Sequence, residues 1–424
     1  MKEAFLHYLW KTKQIPQNST LTSGERLLIQ SFGTHNALSG PDFCNVRLQI
    51  GNQQWAGNVE MHLKSSHWYA HHHEQDKAYN NVILHIVWQH DVEVFNGNGQ
   101  VIPTLELQNQ IDTALLESYK GLLFAQNNFI PCEKHFAQAQ QLLGESWHKR
   151  LFSERLQLKS QLIDELLAQT YSDWEQVLFV MLLKNVGGKV NGDAFAEMGK
   201  RLDFSVVRKE AHNPLRLEAL LFGQLNLLET PHESTHYKAL SAEYQYMQAK
   251  YALVPSSGVV HFTGLRPQGF PTIRLSQLAQ LYAHHKALFA RMMQVQNLTQ
   301  LKKLFDIAAS AFWDTHYTFG KTSAKASKKI SSALVQLIWI NTLLPVKYAY
   351  FKSLHKDVSD QLLLDLQQLP PEKNTLIEQF KSISTRVKSA FDTQVLLQQH
   401  RYYCLPRRCL DCAVGSFLLK HRVV

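Results

Sequence analysis

The hydrophobic pattern of this chain changes period once, and that change limits the fold more than any other feature. From Asp42 to about Leu107 the texture is alternating: DFCNVRLQIG, QWAGNVEMHLKSS, NVILHIVWQHD and VIPTLELQ read as strands with turn residues between them. FNGNGQ at 95–100 supplies the Asn and Gly of a hairpin turn. HHHEQDKAYN at 71–80 reads as a short helix or loop between strands. After about residue 110, apolar residues recur at i, i+3, i+4, as in SWHKRLFSERLQLKSQLIDELLAQ and RLEALLFGQLNLLE. Short helices are also expected over 1–12 and 24–31, the second capped by Thr22 or Ser23. GKTSAKASKK at 320–329 interrupts the later helices and reads as a mobile loop. The pattern predicts an α+β fold: an α+β domain over 1–110, then a mainly α-helical domain over 111–424.

With 424 residues the chain can bury a large core. No apolar run approaches the roughly 20 residues that cross a bilayer, so no membrane partner is expected. The opening MKEAFLHYLWKTKQ lacks a signal-peptide apolar stretch, which makes the expected location cytoplasmic. Lys and Arg number 44 against 35 acids, a formal charge of +9. That balance fits a nucleic-acid partner held through phosphate contacts. The five cysteines do not resemble a secreted disulfide framework.

The chemistry concentrates in GPDFCNVRLQIGNQQWAGNVEMHLK, residues 40–64. Asp42 follows Gly-Pro at the mouth of one strand. Glu60, His62 and Lys64 occupy alternate positions of the next, so they share a face. A hairpin between the two runs brings Asp42 beside them. Two carboxylates with a neighbouring base and cation suit a divalent metal that activates water. A solvated strand face is the plain alternative.

Three further groups stand out. His67, His71, His72, His73, His85 and His90 are dense, but their spacing fits no standard zinc finger. His85 reads as a core residue or a wall of the site, and Asp76 with Tyr79, Asn80 and Asn81 as supporting contacts. Cys404, Cys409 and Cys412 form C-x4-C-x2-C, for which Cys132 is the expected fourth ligand; Cys44 reads as a packed strand residue. In LRPQGFPTIRLSQLA, Arg266 and Arg274 flank a turn before a helix read as capped by Ser276, a natural phosphate site. Lys321, Lys325, Lys328 and Lys329 are candidate backbone contacts for nucleic acid.

The Asp42/Glu60 pattern resembles the PD-(D/E)xK nuclease superfamily. The resemblance implies a restriction-endonuclease-like mixed sheet with flanking helices, and Mg²⁺ or Mn²⁺ held by Asp42 and Glu60. His62 stands where that motif has its Lys, and Lys64 follows one pleat on. The cysteines resemble those of cluster-bearing nucleases of the same superfamily, although the C-terminal spacing differs. This leans slightly to a [4Fe–4S] cluster over structural Zn²⁺ on Cys132, Cys404, Cys409 and Cys412. Across most of its length the chain also resembles a family of unknown function best known from Bacteroidota, through GPDF, GNVEMHLKSSHWY, KAYNNVILHIV, LRPQGFPTIRLSQLA and YYCLPRRCLDCAVG. Where that family tends to read SSDW, this chain has His67.

The expected function is therefore metal-dependent hydrolysis of phosphodiester bonds in DNA or RNA. Asp42 and Glu60 hold the metal, Lys64 or His62 handles the water, and Arg266, Arg274 and the lysines hold the backbone. The alternatives are an inactive nuclease-fold module that binds nucleic acid, and a structural or partner-binding protein.

Overall fold

The computed structural model describes residues 1–124 and 128–422. They form two compact units. The first joins Met1–Trp147, Gln379–Arg386 and Gln399–Val424; the second joins His148–Glu378 and Val387–Gln398. Among the described residues, no helix is long and apolar enough to cross a membrane.

The first unit is built on a seven-stranded mixed sheet. Its elements in chain order are α1 (Glu3–Lys11), β1 (Asn18–Thr20), β2 (Arg26–Ser31), β3 (Thr34–His35), β4 (Phe43–Ile50), β5 (Gln53–Lys64), α2 (His67–Ala70), β6 (Val82–Gln89), β7 (Thr104–Glu106) and α3 (Thr113–Phe124). The strand order is β1-β2-β4-β5-β6-β7, with β3 also paired to β4. Pairing is antiparallel up to β4–β5 and parallel for β5–β6 and β6–β7. The α+β class expected from the period change is the class observed.

Where a helix over 24–31 was expected, residues 26–31 form a strand. Leu27 and Ile29 point into the core while Arg26 and Gln30 point out. The run Leu27-Leu28-Ile29 satisfies either period, and hydrogen bonding to β4 selects the extended form. In β6 the residues Val82–Val87 are all buried, as befits a parallel strand covered on both faces.

Helix α1 buries Phe5, Leu6, Leu9 and Trp10 at helical spacing and packs on β5 and β6. The Trp10 indole donates to the Phe32 carbonyl at 2.8 Å. Phe5 stacks on Tyr119 of α3, with ring centroids 4.0 Å apart. Joining parallel strands β5 and β6 requires a crossover, and residues 65–81 supply it. Asp91 fixes its start by accepting from the Ser65 hydroxyl at 3.0 Å and from the Ser66 N–H at 2.9 Å. Buried Trp68 anchors its middle, donating to the Phe95 carbonyl at 3.1 Å.

The second unit is mainly helical. Its helix Trp174–Arg201 is capped by Asp173 and broken at Gly188, whose φ of 64° and ψ of −151° suit glycine. The helix Pro271–His284 opens on proline, so Ser276 lies inside it and is not a cap. Buried Ser276 instead donates to the fully buried carboxylate of Glu218 at 2.8 Å. Glu218 also accepts from Trp313 at 2.7 Å and Ser310 at 3.2 Å, and meets His236 at 3.0 Å. These partners meet the requirement that a buried carboxylate be hydrogen-bonded. The lysine segment 320–329, expected to be a mobile loop, is tied down. It enters through hairpin β8 (His316–Thr318) and β9 (Lys321–Thr322). Ser323 and Ala326 then donate their N–H groups to the carbonyls of Thr315 and Asp314 at 2.7 and 2.9 Å.

Candidate functional site

Asp42 and Glu60 meet at the start of β4. The Asp42 N–H donates to Glu60 Oε2 at 3.1 Å, and the Met61 N–H donates to Asp42 Oδ2 at 3.0 Å. Each acid thus grips the backbone beside the other, a reciprocal clasp that the antiparallel β4–β5 pairing allows. Glu60 is buried. Burial pushes its carboxyl above the ordinary range and the Asp42 charge adds to this, against a contact from His73 that pulls it down.

In the parallel pair Glu60 stands opposite His85, so both side chains share one face with His62. His62 Nδ1 lies 2.9 Å from His85 Nε2, and His62 Nε2 lies 3.1 Å from His71 Nδ1. His62 Nε2 and His73 Nε2 stand 3.7 and 3.5 Å from Glu60 Oε1. Burial first, then the neighbouring imidazoles His85, His73, His71 and His67, push His62 down to about 2. His85 is pushed down to about 3, again mainly by burial. Both rings are neutral at neutral pH, the state in which imidazole binds metal. Tyr79 stacks on His73 with centroids 3.8 Å apart. Burial and the Glu60, Asp42 and Asp76 charges hold its phenol up to about 12, so it stays protonated.

Lys64 is exposed at the end of β5. Slight desolvation pushes the exposed Asp91 carboxyl up, but hydrogen bonds from Ser66 and Ser65, and then the Lys64 charge, bring it below the ordinary carboxylate range. His7 of α1 was not singled out by sequence reasoning. Its Nε2 stands 3.1 Å from Asp42 Oδ2, close but without the alignment of a hydrogen bond. Nothing in the local pattern marks it; only the packing of α1 on β5 and β6 brings it there.

His7 also lines a cavity of about 600 Å³. Lys2, Lys11, Arg407 and Arg408 give that cavity a basic wall, with Asp411 the acidic side chain among its lining residues. Arg407 donates to the Leu123 carbonyl oxygen, and Arg408 pairs with Asp411 at 3.1 Å.

Cys132, Cys404, Cys409 and Cys412 are free thiols, all buried. Cys132 opens the turn before Phe136–Leu142, Cys404 ends the wide helical turn His400–Cys404, and Cys412 precedes Ala413–Lys420. They share one neighbourhood: Cys404 feels the charges of the other three, after burial, in being pushed up. Burial likewise pushes Cys409 up to about 12 and Cys412 up to about 11. The Gln399 amide donates to Cys412 Sγ at 3.2 Å. Gly415 packs so tightly that a Cβ there would stand 2.1 Å from the Cys409 carbonyl oxygen. Cys44 is half-buried in β4.

The candidate phosphate contacts of the second unit have mixed surroundings. Arg266, Lys321 and Lys325 are exposed. Arg274 is half-buried, pushed down by burial and bonded to Gln277 at 3.1 Å. Lys328 is buried, donating to the Asp314 and Ala326 carbonyls at 2.9 and 3.1 Å. Lys329 pairs with Asp306 at 2.9 Å.

Fold and site together define an α+β protein with a buried carboxylate–imidazole centre at the edge of a basic cavity. The chain belongs to the family described as "Protein of unknown function (DUF2851)", whose model matches residues 3–375. The match takes in Asp42, Glu60, the histidines and Cys132, and ends before Cys404. No curated protein and no solved structure matches the chain.

Proposed function

We propose that this protein is a metal-dependent hydrolase of phosphodiester bonds in nucleic acid, with its catalytic centre at Asp42 and Glu60. One observation carries the reading: the two-carboxylate site and the basic cavity share a residue, His7. Carboxylates suit a divalent cation, and a basic wall beside them suits a phosphate backbone. The strand-opening acid and mid-strand acid, in a mixed sheet with flanking helices, support the resemblance to PD-(D/E)xK nucleases.

In this reading Asp42 and Glu60 hold Mg²⁺ or Mn²⁺, which supplies an activated water. A ring held at about 2 is a poor general base at neutral pH, so His62 contributes a neutral nitrogen. Lys64, exposed at the strand end, is not needed for the proton. His7 accepts it, lying against Asp42 on the cavity side. Lys2, Lys11, Arg407 and Arg408 hold the backbone. The four buried cysteines hold a metal group that ties the C-terminal segment to Cys132. The C-x4-C-x2-C spacing departs from the paired C-x2-C of zinc sites, which slightly favours a [4Fe–4S] cluster over structural Zn²⁺.

The test is cleavage of single- and double-stranded DNA and RNA with added Mg²⁺ or Mn²⁺. Asp42→Asn and Glu60→Gln are expected to lower the rate about 100-fold or more, the scale of lost positioned chemistry. Cutting by both variants at the wild-type rate overturns the assignment. Salt-sensitive binding without any cutting favours the module that only grips nucleic acid.

A further inference from the structure

We infer that His62, His71 and His73, with Glu60 as carboxylate partner, form a binding site for a transition-metal ion of the zinc class, separate in chemistry from the Mg²⁺ or Mn²⁺ proposed at the carboxylates. The inference goes beyond the nuclease reading and does not depend on it.

Among the described residues, these three histidines are the only group of three or more His, Cys, Asp or Glu whose ligand atoms all lie within 4.8 Å of one another. His62 Nε2 and His71 Nδ1 are 3.1 Å apart. Two nitrogens bound tetrahedrally to one ion at about 2.0–2.1 Å stand about 3.3 Å apart, so little movement is required. His73 Nε2 is buried without an aligned hydrogen-bond partner, 3.5 Å from Glu60 Oε1. Glu60 Oε1 also stands 3.7 Å from His62 Nε2, while its Oε2 is taken by the Asp42 N–H. One carboxylate thus borders both sites.

The proton arrangement agrees. If His62 Nδ1–H donates to His85 Nε2, the 2.9 Å contact is satisfied and Nε2 carries a free lone pair. Metal-bound histidines are commonly oriented through the other ring nitrogen in this way. His72, between two ligands, adopts φ 58° and ψ 34°, a left-handed conformation uncommon outside glycine. The chain bends there, between the two residues whose rings approach His62. Three imidazoles and a carboxylate favour zinc-like ions over Mg²⁺, which prefers oxygen.

The test uses the full chain stripped with a chelator and reloaded with Zn²⁺, then with Co²⁺ as a spectroscopic stand-in. Wild type is expected to bind one equivalent more than the His71→Ala/His73→Ala variant. Its visible Co²⁺ d–d absorption, assigned to nitrogen and oxygen ligands, is expected to vanish in the variant. His71 is exposed, so His71→Ala alone keeps the fold and is expected to weaken affinity about 100-fold or more. Equal metal content and affinity in wild type and His71→Ala overturn the site and leave a hydrogen-bonded histidine cluster. Asp42→Asn separates the two ideas: it is expected to retain the ion and lose cleavage. An ion-loaded wild type that cuts nothing sinks only the nuclease reading.

Discussion

His62 Nδ1 and His85 Nε2 face each other at 2.9 Å across the parallel strands β5 and β6, both rings sealed from water. Burial removes solvent as an alternative partner, so each ring fixes the other's tautomer and angle. His62 then has a single nitrogen, Nε2, left for chemistry, and it is turned toward His71 and Glu60.

That dependence is testable without touching a ligand. His85→Leu leaves His62 Nδ1 buried and unpaired, at a cost of about 1–3 kcal/mol in urea unfolding. Zinc affinity, measured by competition with a chromophoric chelator, is expected to fall about 10- to 100-fold, the range for lost outer partners of metal ligands. Unchanged affinity would mean that His62 is oriented by other contacts.

The basic cavity gives a second expectation, read through salt. Lys11→Ala, Arg407→Ala and Arg408→Ala are each expected to weaken nucleic-acid binding regardless of sequence. Each is expected to reduce the slope of log K against log salt by about 0.7 to 0.9 per lost phosphate contact. Lys328→Ala, by contrast, is expected to lower stability and leave that slope unchanged, because its buried ammonium serves the Asp314 and Ala326 carbonyls. Slopes that respond only to Lys321 and Lys325 would move the binding surface to the second unit.

For the cysteines, anaerobically purified protein is expected to be brown, with the broad absorption of an iron–sulfur cluster. Cys409→Ser is expected to lose both the colour and much of the soluble protein. Gly415→Ala is the sharper probe, since it keeps every thiol. Its Cβ must displace the Cys409 carbonyl, which overpacking data put at about 1–3 kcal/mol. Metal loss in that variant would tie the site to backbone placement. Colourless protein whose bound zinc is lost in Cys409→Ser and kept in His71→Ala would replace the cluster by zinc.

The sequence disclosed the sheet because alternation survives in β4 and β5, and it disclosed Asp42 and Glu60 because strand position alone aligned them. It marked His71 and His73 as part of a dense histidine group but did not place them beside His62 and Glu60. Their run HHHEQ looks like an exposed loop until β5 and β6 are known to be parallel, and parallel pairing is not written in either strand. Once it holds, residues 65–81 must cross back beside the strand pair that carries His62 and His85. His7 was hidden for a similar reason, since it reaches Asp42 only through the packing of α1 on the sheet. Residues 24–31 misled because Leu27-Leu28-Ile29 fits both periods and only pairing with β4 decides. Ser276 misled because Pro271 starts that helix earlier.

His285 sets a pH dependence away from either metal site. Its ring is buried, Nε2 faces the Leu304 carbonyl at 2.9 Å, and Nδ1 has no partner. Burial pushes it below the ordinary histidine value; the Leu304 carbonyl pulls it up, and the His284 and Arg291 charges push it further down. The folded ring therefore gives up its proton at lower pH than the unfolded one. In the window below about 6.5, the ordinary histidine value, the unfolded chain binds more protons, so stability rises with pH there. The contribution is complete above that value and is lost as pH falls toward the folded value. Urea midpoints are expected to drop between pH 7.5 and pH 5, and His285→Phe, which cannot take up a proton, is expected to drop less steeply. Parallel curves for the two proteins would show that His285 titrates alike in both states, and that its burial does not set the proton balance.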